Sequence, residues 1–172
     1  MLIVLSGLPG TGKSAVADGV ASALRLPVLS VDPLESAILR AGIAHGFETG
    51  LAAYLVAETL ADRFMAVGLD PVIDAVNSVE QARDMWRALA RKHHALLRII
   101  ECLVSDSTAH VARVAARDRG LALPEPTGED VERRRSEWTP WPEPHLTLDA
   151  LDGIEVNVAA ALAYLAGAPL GD

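Results

Sequence analysis

The chain has one cysteine, Cys102, so no disulfide can close within it, which fits a reducing compartment such as the cytoplasm. Cys102 stands in the apolar run Ile99-Ile100-Glu101-Cys102-Leu103-Val104, where a buried structural thiol is expected rather than a nucleophile. Positive charge is also scarce. Fifteen Lys and Arg against twenty-three Asp and Glu leave a formal charge of −8, a balance that disfavours a nucleic-acid partner because such a partner usually needs a basic stripe. Aromatics are few, with three Trp, two Tyr and two Phe in 172 residues, and alanine and leucine make up most of the apolar half, as suits helices packed on a sheet. No apolar stretch is long enough to cross a membrane. No leader is expected, because residues 1–6 run straight into the first motif. Repeats, low-complexity linkers and an Asn-Lys-x-Asp guanine motif are all missing. The length predicts one domain, residues 1–172.

Residues 7–14, Gly-Leu-Pro-Gly-Thr-Gly-Lys-Ser, form the phosphate-binding pattern G-x-x-x-x-G-K-[ST]. The apolar run Leu2–Leu5 before it reads as a buried strand, and Ala15–Leu24 after it carries an apolar face at helical spacing. Strand, glycine-rich loop and helix are the context the pattern needs. Gly7, Gly10 and Gly12 free the backbone, so that the N–H groups at the helix start can point at phosphate oxygens, with Leu8, Pro9 and Thr11 completing the loop around them. Lys13 should reach the β- and γ-phosphates and the Ser14 hydroxyl should ligate Mg²⁺. A nucleoside triphosphate is the ligand this predicts.

Apolar runs at 2–6, 27–31, 71–75, 97–104 and 145–149 predict five strands with helices between them, hence an α/β fold with a parallel sheet covered on both faces. Ligands then belong at the carboxyl ends of the strands. Ser78-Val79-Glu80-Gln81 resembles a capping box and should open a helix to about Lys92. Ser105 to Thr108 should cap a helix ending near Gly120, with Arg113 and Arg117 on one face. Residues 119–128, with Gly120, Pro124, Pro126 and Gly128, read as an irregular lid. Thr127–Asp130 opens another helix through Arg135, and Trp138–Pro144 should run extended into the last strand. Residues 154–166 form a closing helix, with Gly167–Asp172 as a frayed tail.

Asp32 is placed at the end of the second strand, where it can accept a hydroxyl proton or cap the helix that Pro33 begins. Asp74 closes Pro71-Val72-Ile73-Asp74, the form expected of a Mg²⁺-organising carboxylate. Arg113, Arg117 and Arg119 precede the lid and can meet phosphate charge; one of Arg133, Arg134 and Arg135 could be a second lid arginine. Asn77 can orient substrate or cap a helix. The region 33–68 should overhang an acceptor site, with His45, Phe47, Glu48 and Tyr54 as contact candidates. The apolar face from Leu51 to Val67 could pack internally or on a second subunit, which leaves monomer or homodimer open. His93-His94 reads as a helix C-terminal cap. Trp138 and Trp141 could cover adenine or the core.

These residues resemble the small phosphate-loop kinases that include chloramphenicol phosphotransferase, the polynucleotide 5′-hydroxyl kinases and zeta toxins. The resemblance rests on the phosphate loop, on Asp32 nineteen residues after Lys13, on Val72-Ile73-Asp74 and on Arg113-Val-Ala-Ala-Arg117. The chain is also similar to ATP-binding proteins labelled "AAA family ATPase", without room for the second helical domain of ring ATPases. The resemblance implies sheet order 2-3-1-4-5, ATP–Mg²⁺ as donor, Asp32 as general base and a mobile arginine lid. It does not name the acceptor. A small-molecule hydroxyl acceptor is the first expectation; a polynucleotide 5′-kinase and an ATP-binding switch with slow hydrolysis are the alternatives.

Overall fold

Leu2–Ser6 (β1) is buried along its whole length, and its alternating side chains supply two cores at once. Leu2 and Val4 point into one, while Ile3 and Leu5 point into the other. The computed structural model, which describes residues 1–167, builds the rest around this strand. Val28–Ser30 (β2), Val72–Asp74 (β3), Leu97–Leu103 (β4) and Leu146–Asp149 (β5) complete a five-stranded parallel sheet in the order β2-β3-β1-β4-β5. The parallel sheet is the one expected from the apolar runs, and its strand order is the one the family resemblance implies.

Among the described residues seven α-helices connect and cover the strands. Lys13–Leu24 (α1) and Ile154–Leu165 (α7) pack on the Ile3 face, where Val16, Val20, Ile100, Leu148 and Ala161 meet. Gly19 explains how they come so close: a Cβ at that position would stand 2.5 Å from Val158 Cγ2. Phe47–Ala66 (α3) and Glu80–Lys92 (α4) cover the opposite face. In α3 the alanines at 53, 57 and 61 turn inward at a four-residue spacing and let the helix lie against the sheet. Phe47, Leu51 and Leu55 remain exposed on its other side. Val31–Arg40 (α2), Ser107–Ala115 (α5) and Gly128–Ser136 (α6) sit around the carboxyl edge of the sheet.

Several local expectations need correction. Strand β2 stops at Ser30, so Asp32 lies in the first turn of α2 and is neither a strand end nor the N-cap; Ser30 occupies the cap position. Helix α4 begins at Glu80 with Val79 at its N-cap, and the Ser78–Gln81 capping box does not form. Helix α5 is capped by Asp106, which accepts from Ala109 N at 2.7 Å, and ends at Ala115 rather than near Gly120. Arg117 therefore lies beyond the helix and does not share a helical face with Arg113. Helix α6 starts as expected: Thr127 and Asp130 bond reciprocally at its N-terminus. Of the expected tail, residues 168–172 lie outside the described residues. Among the described residues no helix is long and apolar enough to cross a membrane.

Candidate functional site

The loop between β1 and α1 is shaped by three glycines, Gly7, Gly10 and Gly12, in conformations that a side chain resists. Gly7 has φ 147°, and a Cβ there would stand 2.3 Å from Cys102 O. Gly12 has φ 81° and caps α1 with no side chain in the way. No acidic residue sits in the first turn of α1, so its open N–H groups face a site without competing negative charge. Lys13, Ser14, Gly10 and Gly12 line a cleft of about 380 Å³ together with Arg113, Arg117 and Arg119. Arg113 Nε donates to Gly10 O at 3.0 Å, which ties α5 onto the loop. His110, which the sequence pattern does not single out, does the same from inside: its buried ring nitrogen Nε2 is 2.7 Å from Pro9 O. The side chains of Leu8 and Thr11 turn away from the cleft, and Thr11 Oγ1 donates to Leu8 O at 2.8 Å.

Asp74 sits at the end of β3, buried, with its two oxygens in different circumstances. Oδ2 accepts from Ser30 Oγ at 2.9 Å. Oδ1 is buried without a hydrogen-bond partner. A carboxylate oxygen left this way is costly unless something electropositive meets it, so the donor set of Asp74 and Ser14 fits a hard cation held jointly with phosphate oxygens. Among the described residues no cluster of three or more His, Cys, Asp or Glu is placed to hold a metal by itself.

A second cavity of about 310 Å³ adjoins the first. Asp32, Glu35 and His45 form one side, Glu125, Asp130 and Arg134 another, and Arg117 and Arg119 border both cavities. Arg119 ion-pairs with Asp32, and Arg117 Nη2 stands 3.8 Å from the same Asp32 oxygen. Burial pushes the Asp32 carboxyl up, but Lys13, Arg119 and Arg117 outweigh it and hold the group below the usual carboxylate range. Burial lowers Arg117, the proximity of Arg119 adding to it, and its Nη1 has no hydrogen-bond partner. Glu35, one turn beyond Asp32, accepts from Thr49 Oγ1 at 2.8 Å, and His45 Nε2 is 3.8 Å away.

The other candidates separate. Phe47 is 80% exposed and Glu48 is exposed, and neither borders this cavity. Tyr54 packs against Trp86 at 6.3 Å between ring centres, its hydroxyl accepts from Asn77 N at 3.1 Å, and burial raises its pKa to about 12. Asn77 neither caps a helix nor faces a cavity. Its Nδ2 donates to Leu5 O and its Oδ1 accepts from Trp86 Nε1, so both ends of the amide hold the core. Trp141 is buried beneath the Arg83 guanidinium, 4.8 Å from its ring centre, and Trp138 donates to Glu101. His93 takes the C-cap of α4 and pairs with Asp62. Burial pushes the Cys102 thiol up to about 12, which leaves it inert at neutral pH.

A family model described as an AAA domain, AAA_33, matches residues 2–137. The adenylate kinase of Methylorubrum extorquens (strain PA1) is 30% identical over 185 aligned positions, covering 99% of this chain and 85% of that protein. Among solved structures, a candidate kinase of Chloroflexus aurantiacus has a TM-score of 0.77 at 22% identity, over 95% of this chain and 96% of that one. The APS kinase CysC of Mycobacterium tuberculosis, in complex with AMPPNP and APS, has a TM-score of 0.73 at 19% identity, over 96% and 97% of the two chains. The chain belongs to this AAA domain family of phosphate-loop proteins and is an ATP-dependent kinase.

Proposed function

We propose that this kinase transfers the γ-phosphoryl group of ATP to a hydroxyl of a small molecule, with Asp32 as the general base. The observation that carries the reading is the position of Asp32. It lies on the wall of the second cavity, under the influence of Lys13 from the phosphate loop and in contact with Arg119, which borders both cavities. An acceptor in the second cavity has its hydroxyl between a carboxylate and the transferring phosphoryl group.

The chemistry then follows in one displacement. Asp32 takes the hydroxyl proton as the alcohol oxygen bonds to the γ-phosphorus, and the bond from that phosphorus to the β,γ-bridging oxygen breaks to leave ADP. Lys13 and the N–H groups at the start of α1 hold the β- and γ-phosphates. Arg113 is anchored on Gly10 O beside them, while Arg117 and Arg119 turn from Asp32 toward the phosphoryl oxygens as charge spreads there. Ser14 and Asp74 would hold Mg²⁺, which neutralises phosphate charge and aligns the β- and γ-groups when bound.

AMP is the second reading, favoured by the relatives named adenylate kinase. Its phosphate already carries the nucleophilic charge, so no base is needed. The cavity argues for a neutral or cationic acceptor instead: Asp32, Glu35, Glu125 and Asp130 border it, and two of its three arginines are already committed to Asp32 and Glu125.

The deciding experiment measures ADP release from ATP–Mg²⁺ against nucleosides, sugars, aminoglycoside and amphenicol antibiotics, and AMP, for the natural chain and Asp32→Asn. Stimulation by a hydroxyl compound that disappears in Asp32→Asn, with ATP still bound, supports the proposal. Stimulation by AMP alone, undiminished in Asp32→Asn, overturns it.

A further inference from the structure

Behind the phosphate loop, beneath Leu8 and Thr11, a third cavity of about 280 Å³ opens between the end of β4 and the segment around Trp138. It shares no lining residue with the phosphate cleft or the acceptor cavity. Two groups of opposite charge border it, and each is left with an unmatched atom. Glu101 is 5% exposed; its Oε1 accepts from Trp138 Nε1 at 2.9 Å, while Oε2 is buried with no hydrogen-bond partner and has His145 Nε2 at 3.9 Å. Arg135 donates from Nη2 to Ser105 O at 3.3 Å, while its Nη1 is buried and unpartnered. Leu8, Leu103 and Val104 give the cavity an apolar stretch of wall, with Thr11, Ser105 and His110 also lining it.

A buried carboxylate oxygen calls for a donor and a buried guanidinium nitrogen for an acceptor, since leaving either unmatched is costly. One molecule that supplies both, on an apolar body small enough for the cavity, is a free amino acid with an apolar side chain. We propose that this cavity binds such an amino acid. Its ammonium group lies on Glu101 Oε2, its carboxylate on Arg135 Nη1, and its side chain against Leu8, Leu103 and Val104. The ligand then rests on the inner surface of the phosphate loop without entering either reaction cavity.

Calorimetric titration of the whole chain tests this with leucine, phenylalanine and tryptophan, and with isocaproate and leucinol, each of which lacks one charge of leucine. At least one of the three amino acids should bind. For leucine, each single-charge analogue should bind about tenfold more weakly or worse, as should leucine itself in Glu101→Gln and in Arg135→Ala, since a hydrogen bond to a charged group is worth roughly a factor of ten or more. Arg135 lies nearer the surface than Glu101, so Arg135→Ala keeps the test open if Glu101→Gln fails to fold. The proposal falls if none of the three amino acids binds below about 10 mM, an affinity of only about −3 kcal/mol. It also falls if isocaproate matches leucine, or if Arg135→Ala binds the amino acid as the natural chain does.

Discussion

Arg119 donates from Nη1 to Asp32 Oδ2, and Arg117 approaches the same oxygen from 3.8 Å. The carboxylate proposed as general base is therefore neutralised by two arginines that also border the phosphate cleft. The same two side chains meet Glu125 on the loop that follows them. A triphosphate offers these guanidiniums a more highly charged partner than Asp32 does. In the proposed reaction, nucleotide binding would therefore draw this pair of side chains off Asp32 and free the base.

That arrangement predicts a difference between two pH profiles. The folded pKa of Asp32 is depressed, so the carboxylate is already ionised throughout the neutral range and is lost only below the ordinary value of 3.8. The profile of kcat/KM for ATP, which reports the enzyme before nucleotide binds, should stay flat on its acid side from about pH 7 to about pH 5. The profile of kcat reports the ternary complex, where the arginines have turned to phosphate, and its acid limb should lie at higher pH. Steady-state rates between about pH 4 and 8 with a working acceptor provide both curves. A kcat/KM limb near about 6.5 would instead point to a group of another kind and remove Asp32 from the role.

Asp74 makes a prediction about metal. Its Oδ1 is buried and unpartnered, while Oδ2 is held by Ser30. Asp74→Asn preserves the shape and the contact to Ser30 Oγ but removes the negative charge. The variant should bind ADP nearly as well as the natural chain without Mg²⁺, and the Mg²⁺ concentration that half-saturates turnover should rise about 10- to 100-fold. Titrating MgCl₂ into turnover and binding assays of both proteins checks this. An unchanged Mg²⁺ requirement would leave the buried oxygen without the cation assigned to it.

Sequence legibility followed the range of the contacts. The phosphate loop, the five strands and the α6 cap are written in short windows, and the structure places them as expected. The length of α5 was not legible, because nothing local to residues 116–119 ends the helix; those residues leave it to carry Arg117 and Arg119 onto Asp32, eighty-seven positions away in the case of Arg119. Asn77 misled for the same reason. A polar residue after a strand-ending Asp reads as a site residue, yet its partners Leu5 and Trp86 come from other elements and are invisible in the window around it. His110 and Ser30 carry no motif at all, and only the folded chain brings them to Pro9 and Asp74.

Glu35 is the residue through which acceptor choice can be read. It lies one turn beyond Asp32 on α2, and Thr49 Oγ1 from α3 fixes one of its oxygens at 2.8 Å. Its position on the acceptor cavity leaves the carboxylate able to accept from a hydroxyl or an ammonium group of the acceptor. Replacing it with Gln keeps the size and the contact to Thr49 but removes the charge. The expected result is a rise of about tenfold in the acceptor KM with kcat and the KM for ATP little changed, because the lost interaction is made equally in the ground and transition states. A purely architectural role, in which Glu35 only ties α2 to α3, would lower thermal stability and leave the acceptor KM where it was. Measuring both quantities on Glu35→Gln and Thr49→Ala separates the two, since only the first variant alters the charge presented to the acceptor.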